Sequence, residues 1–267
     1  MHRILIAVLI PVCFGVVLWS ATAYLSVEED DRPQFFPEAT ATASGAVIYA
    51  RYGDGLRGYL ARPASGGPYP GVLFLPDQWG RTPALIERAE ELAGEGYVVL
   101  VADLYAGEVP QRAERAAQLR ARVASNPDAV LANLVSALQY LKEDGQVGSR
   151  LAVIGWGWGG SLALDLAEGG HDLSAAVAYY PPLQLSREPQ VPLMGHFAEE
   201  DAVVPVARAR RLADTLDGSS GDHAIFIYPN AQHGFDRSGD RSPYDRAAAD
   251  LAGKRTLEFL VRHLTRS

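Results

Sequence analysis

The chain has 267 residues, 48% of them hydrophobic and 21% charged, enough for one sizeable domain with a buried core but not for two full ones. Its formal net charge of −8 argues against nucleic acid and anionic headgroups as partners, because both need concentrated Lys and Arg. The one cysteine, Cys13, lies in the N-terminal apolar run, so the rest of the chain has neither a disulfide nor a thiol nucleophile.

Residues 4–27 carry no charge, follow Arg3 and precede Glu28-Glu29-Asp30-Asp31. The run is long enough to cross a bilayer as one hydrophobic helix. Arg3 on the short side keeps the N-terminus cytoplasmic and puts the domain outside. The alternative is a signal peptide cut near Ala21-Thr22-Ala23. Both readings export the domain, either membrane-anchored through this segment or secreted. Cys13 follows Pro11-Val12, not a small residue, and reads as a buried, inert thiol. Residues 28–44, acidic and then rich in Pro, Thr and Ala, read as a linker, which leaves residues 45–267 as the domain.

Within the domain, residues 46–51 and 56–62 flank Tyr52-Gly53-Asp54-Gly55 and predict a β-hairpin. Next come a loop over 63–70 and a buried strand, Val72-Leu73-Phe74-Leu75. The loop Pro76-Asp77-Gln78-Trp79-Gly80 precedes a helix over 83–93 and a strand over 98–102 that ends at Asp103-Leu104-Tyr105. Helices are predicted over 111–123 and 128–142, broken at Asn126-Pro127. After a central strand at Leu151, strands are predicted over 175–178, 192–197 and 224–228, and helices over 206–216 and 244–263. Strand alternating with helix implies a mostly parallel, doubly wound sheet flanked by helices, with function at the carboxyl ends of the strands.

The densest signal is the central stretch, Leu151-Ala-Val-Ile-Gly-Trp-Gly-Trp-Gly-Gly-Ser-Leu-Ala-Leu164: strand, sharp turn, helix. Two kinds of site use that geometry. In a nucleophile elbow, Gly-x-nucleophile-x-Gly, the central residue is Gly157, which has no side chain. In a dinucleotide site, Gly155, Gly157 and Gly160 fit Gly-x-Gly-x-x-Gly. That site also needs an acid at the end of the next strand, and Ala175-Ala-Val-Ala-Tyr-Tyr-Pro-Pro182 has none. No cofactor is therefore expected. Nor is a metal, since the histidines show no ligand spacing.

Two later strand ends complete a pattern. The strand at 192–197 leads to Glu199-Glu200-Asp201, and the last strand leads to Ala231-Gln-His-Gly-Phe235. Nucleophile position, acid, histidine is the chain order of α/β-hydrolases. Five segments together resemble the dienelactone hydrolase family: Pro70 to Gly80, Ala102-Asp-Leu-Tyr105, Gly155 to Gly160, His196 to Pro205, and Ala231 to Phe235. The resemblance implies an α/β-hydrolase fold. It implies that Asp201 orients His233, the general base, and that the backbone N–H groups of Gln78 and Trp158 form an oxyanion hole. It places Asp77 where the family has a glutamate beside its nucleophile, and Arg237 where an arginine helps hold a substrate carboxylate. Gly157 stands in place of the family's cysteine or serine, and Gly107 follows Asp103-Leu-Tyr-Ala where dienelactone-cleaving members carry a second arginine.

Each candidate also has a plainer reading. Asp201 can cap the following helix. Asp77 can be a turn residue. Trp79, Trp156 and Trp158 can line a pocket or belong to the core. Ser161, one helical turn past the elbow, should point into helix packing. Two functions follow: hydrolysis of a small ester or lactone by water that His233 activates, or a pseudo-hydrolase that binds a small molecule or partner without turnover.

Overall fold

The computed structural model describes residues 34–35, 48–53, 55–182, 185–237 and 243–265. The expected anchor or signal segment (residues 1–27) and nearly all of the expected linker (28–44) lie outside these. Among the described residues, no helix is long and apolar enough to cross a membrane.

Eight strands form one sheet: β1 (Ile48–Tyr52), β2 (Leu56–Ala61), β3 (Tyr69–Leu75), β4 (Val98–Val101), β5 (Val147–Trp156), β6 (Ala175–Tyr179), β7 (Leu193–Ala198) and β8 (Ala224–Tyr228). Their order is β1-β2-β4-β3-β5-β6-β7-β8. The hairpin β1–β2 and the pair β2–β4 are antiparallel, and every other pair is parallel. Parallel neighbours need a crossover. The helices supply it: α1 (Pro83–Gly94), α2 (Ala113–Ala124), α3 (Pro127–Glu143), α4 (Trp158–Gly169), α5 (Val206–Leu216) and α6 (Arg246–Leu264).

The central strands are apolar on both sides because both faces are covered. Val72, Phe74, Ala152, Ile154 and Trp156 pack toward α1 and α6, whereas Leu73, Leu75, Leu151 and Val153 pack toward α3, α4 and α5. Successive residues alternate between two cores, as the period of two of a pleated strand requires. Among the described residues, the elements predicted for the domain are present, with ends moved by a few residues. The larger shifts are β5, which starts four residues early at Val147, and β3, which starts three residues early at Tyr69.

Register brings the functional loops to one edge. Leu75 pairs with Gly155, Trp156 with Tyr179, Tyr179 with His196, and His196 with Phe226. The loops after β3, β5, β6, β7 and β8 therefore leave the sheet side by side.

Candidate active site

Strand β5 ends at Trp156 and α4 begins at Trp158, so the whole turn is Gly157, at φ 51° and ψ −116°. An L side chain adopts that conformation only under strain. Three neighbouring glycines are needed for space. A Cβ on Gly155 would lie 2.0 Å from the Gly159 carbonyl oxygen, one on Gly159 would lie 2.1 Å from that of Leu75, and one on Gly160 would lie 2.9 Å from that of Tyr179. They let α4 dock against β3, β5 and β6. The spacing that suggested a dinucleotide site is thus accounted for by helix–sheet packing. Gly157 differs: a Cβ there meets nothing closer than Asp77 Cβ at 3.4 Å and Tyr180 Cε2 at 3.9 Å. The turn has room for a Cβ that the sequence does not supply.

Helices α1, α3 and α6 begin with a side-chain cap, from Thr82, Asn126 and Asp245. Helix α4 has none. Its first internal bond runs from the Ser161 N–H to the Gly157 carbonyl at 3.1 Å, so the N–H groups of Trp158, Gly159 and Gly160 have no acceptor within the helix. Such a helix start is a ready anion site. Ser161 is fully buried in the helix packing, as expected of it.

The acid and the histidine meet. Asp201 Oδ2 lies 2.8 Å from His233 Nδ1, and Asp201 Oδ1 accepts the N–H groups of Val203 (2.8 Å) and Val204 (2.7 Å). The expectation that Asp201 caps the following helix needs correction. The N-cap of α5 is Pro205, without a side-chain bond, and Asp201 closes a turn instead. This leaves one carboxylate oxygen committed to the backbone and the other to the imidazole. Main-chain bonds join the two loops, from Glu199 N–H to the Tyr228 carbonyl (3.0 Å) and from Glu200 N–H to the Ala231 carbonyl (2.9 Å).

Asp77 sits beside the empty position. Its Oδ1 accepts the Trp79 N–H at 2.8 Å, and its Oδ2 takes the Arg237 guanidinium. Burial pushes the Asp77 carboxyl above the usual carboxylate range, against the pull of Arg237. The Gln78 carbonyl accepts the Tyr105 hydroxyl at 3.2 Å, and Tyr105 stacks on Trp158 with ring centroids 6.4 Å apart. Gly159 packs against the Leu75 and Pro76 carbonyls, which places the Gln78 loop alongside the start of α4.

Trp156 does not face the Gly157 turn. As a strand residue two beyond Ile154, it faces the other core. It packs edge-on to Phe74 (centroids 4.9 Å apart) and stacks on Tyr179 (5.4 Å), and its Nε1 donates to Asp236 Oδ2 at 2.8 Å. Trp158 is buried as well, in the core beneath α4. Trp79 is half-buried on the Asp77 loop.

Sequence reasoning missed two residues. Tyr180, fully buried at φ 37°, places its ring 4.7 Å from that of His233 and donates its hydroxyl to Asp236 Oδ1 at 2.7 Å. Asp236 also accepts from Trp156 and Arg88. Burial alone would raise its pKa, but Arg88 and the two other donors outweigh that and hold the carboxyl below the usual range. Asp236 thus ties the end of β5, the end of β6 and the histidine loop together. Its place three residues after His233, in Gly234-Phe-Asp-Arg237, was the available signal, but its partners lie 56 to 148 residues away in sequence.

Among the described residues, no group of three or more His, Cys, Asp or Glu is placed to hold a metal.

Comparison with known proteins gives this geometry a context. The profile of the dienelactone hydrolase family matches residues 56–264. The carboxymethylenebutenolidase of Pseudomonas putida is 28% identical over 229 residues, covering 81% of this chain and 95% of its own. Among solved structures, a dienelactone hydrolase-like promiscuous phosphotriesterase from metagenomic libraries superposes with a TM-score of 0.70 at 23% identity, covering 78% of this chain and 92% of its own. An esterase of Thermogutta terrifontis gives a TM-score of 0.64 at 20% identity, over 88% and 96% of the two chains. At those identities the structures establish the shared fold.

Proposed function

We propose, from the premise that the chain belongs to the dienelactone hydrolase family, that it hydrolyses a small ester or lactone without an acyl-enzyme. Gly157 has nothing that His233 could activate, so the covalent route is closed. The observation that carries the reading is the Asp201–His233 pair, 2.8 Å apart, beside a turn with room at the nucleophile's place.

A water in that space attacks the carbonyl carbon and gives its proton to His233, which Asp201 holds in orientation. The N–H groups of Gln78 and Trp158 receive the negative charge that develops on the carbonyl oxygen. Collapse breaks the bond to the leaving oxygen, which takes the proton back from His233. The products are a carboxylic acid and an alcohol. Related sites stripped of triad members keep about 10³-fold catalysis over water from the oxyanion hole and binding alone.

A second reading rests on Gly157 itself: the site binds a small molecule or a partner's loop without turnover. Four proteins, each from residue 33 onward, separate the two: the natural chain, His233→Ala, Gly157→Ser, and Gly157→Ser with His233→Ala. Turnover of short aryl esters by the natural chain, reduced at least about 100-fold by His233→Ala, supports the water route. A silent natural chain beside an active, His233-dependent Gly157→Ser variant rules it out in favour of binding.

We also propose that residues 1–27 export the domain, as an uncleaved anchor or a cleaved signal. Fractionation of cells making the full chain tests this: a cytosolic, full-length product would refute it.

A further inference from the structure

Helices α1 and α6 leave a groove of about 700 Å³ between them, on the face of the sheet away from α4. That is within the ordinary size of a small-molecule site, roughly 300–1,000 Å³. Phe74, Ile154 and Trp156 lie at its bottom, and the half-buried Leu92 and Leu257 form its walls. Gly157, Asp201 and His233 do not line it. Two features of the groove weaken the helices that carry them. Glu87, Glu91 and Glu95 stand four residues apart along α1 and its end, all exposed at the rim, and among the described residues none of them is in an ion pair. Like charges at that spacing repel, and Glu91 and Glu95 also sit at the negative end of the helix dipole. Gly253 interrupts the middle of the 19-residue α6, where alanine would make a better helix. No neighbour requires it, since a Cβ there would meet nothing within 4 Å. The cations that line the groove already face carboxylates: Arg88 is bound by Asp236, and Lys254 lies 3.9 Å from Glu258.

We infer that this groove binds a small organic cation, an ammonium group carried on an apolar body. The body lies over Leu92 and Leu257, in the space that Gly253 leaves open, and takes their apolar surface out of water. The ammonium meets Glu87 and Glu91 at the rim and relieves their repulsion. Trp156 does not take the cation, because the Arg88 guanidinium already lies 5.8 Å from its ring centroid and Tyr179 stacks on it at 5.4 Å. The walls therefore choose the body and the rim chooses the charge. An anion of the same shape meets an unneutralised row of carboxylates, and an uncharged one gains only the apolar contact. Neither the site nor its ligand depends on the reading of the Gly157 turn as a hydrolase.

The eight-stranded sheet and all six helices lie within residues 48–264, and the family profile within 56–264, so the chain from residue 33 onward carries the groove complete. Three probes share one body and differ in charge: 4-phenylbutylammonium, 4-phenylbutan-1-ol and 4-phenylbutanoate, titrated into isotope-labelled protein at low salt and followed by NMR. Saturable shifts of the Leu92, Gly253 and Leu257 amides and the Trp156 indole N–H are expected. The ammonium should bind at least about 5-fold more tightly than the alcohol, and the carboxylate most weakly. Replacing Glu87 and Glu91 together by Gln should bring the ammonium to within about 2-fold of the alcohol and leave the alcohol unchanged. Gly253→Leu, which fills the open space and strengthens α6, should weaken both at least about 10-fold. All three positions are exposed, so these variants keep the fold. The inference is overturned if the carboxylate binds as tightly as the ammonium, or if the shifts scatter over the acidic surface. It is equally overturned if the ammonium shows no saturable binding below about 10 mM, or if either variant leaves the affinities unmoved.

Discussion

The turn at Gly157 and the loop carrying His233 meet at Tyr180, and they keep their shapes by opposite means. The turn is held by the absence of side chains: Gly155, Gly159 and Gly160 let three strands and a helix approach to carbonyl contact, and a Cβ on residue 157 would meet only Asp77 and Tyr180. The histidine loop is held by side chains: Asp201 on one flank and Asp236 on the other fasten it to the ends of β5, β6 and β7. A glycine at position 157 therefore leaves the turn intact, whereas loss of a carboxylate in the loop would not be silent.

The sharpest way to break that contrast is to add one methyl group to the turn. Gly159→Ala puts a Cβ 2.1 Å from the Leu75 carbonyl oxygen and 2.5 Å from that of Pro76, both backbone atoms that cannot yield. A loss of more than about 4 kcal/mol, or no soluble protein, is expected. Gly157→Ser meets no such contact and bears only the strain of its positive φ, about 1–3 kcal/mol. Urea denaturation of the two variants measures the difference, and equal costs would refute the steric account.

On the loop side, Asp236→Ala strands the Tyr180 hydroxyl and the Trp156 N–H in the interior and takes the carboxylate from the half-buried Arg88. The expected cost is about 3–5 kcal/mol, read from the same denaturation curves. Acid should act on the same region. Asp236 is held below the ordinary carboxylate value of 3.8, so its contribution is present above that pH and lost below it. His196 adds to this earlier in the titration. Buried between the Tyr228 and Thr256 hydroxyls, it has its pKa pushed down from 6.5 to about 3. The unfolded chain binds that proton first, so stability is full above pH 6.5 and falls steadily toward pH 3, by up to about 4 kcal/mol. Midpoints that stay flat between pH 6.5 and 4 would contradict it.

The fold was largely legible because the central strands announce themselves as apolar runs and half of the helices begin at a capping residue, such as Thr82 before Pro83 or Asn126 before Pro127. Of the site, the positions after strand ends were legible but their pairings were not. That Asp201 faces His233 came with the family resemblance, whereas its bond to two N–H groups rather than to a helix start depends on the path of a four-residue turn. Trp156 and Trp158 look equivalent in sequence, yet the strand's alternation sends the first into one core and the helix sends the second into the other. Tyr180 was hidden for a further reason: its importance lies in a positive φ and a partner 56 residues on, and neither leaves a local pattern.

The smallest expected effect tests how far the loop's dependence on side chains extends. Glu200 is the residue before Asp201, and its side chain is exposed. What joins it to the histidine loop is its main-chain N–H, bonded to the Ala231 carbonyl at 2.9 Å, and a substitution does not touch that bond. Glu200→Ala should therefore change stability by no more than about 0.5 kcal/mol, even though it sits one residue from the aspartate bonded to His233. A cost above about 1 kcal/mol would mean that exposed side chains also help hold this loop. The division between a turn fixed by packing and a loop fixed by a few buried carboxylates would then be too simple.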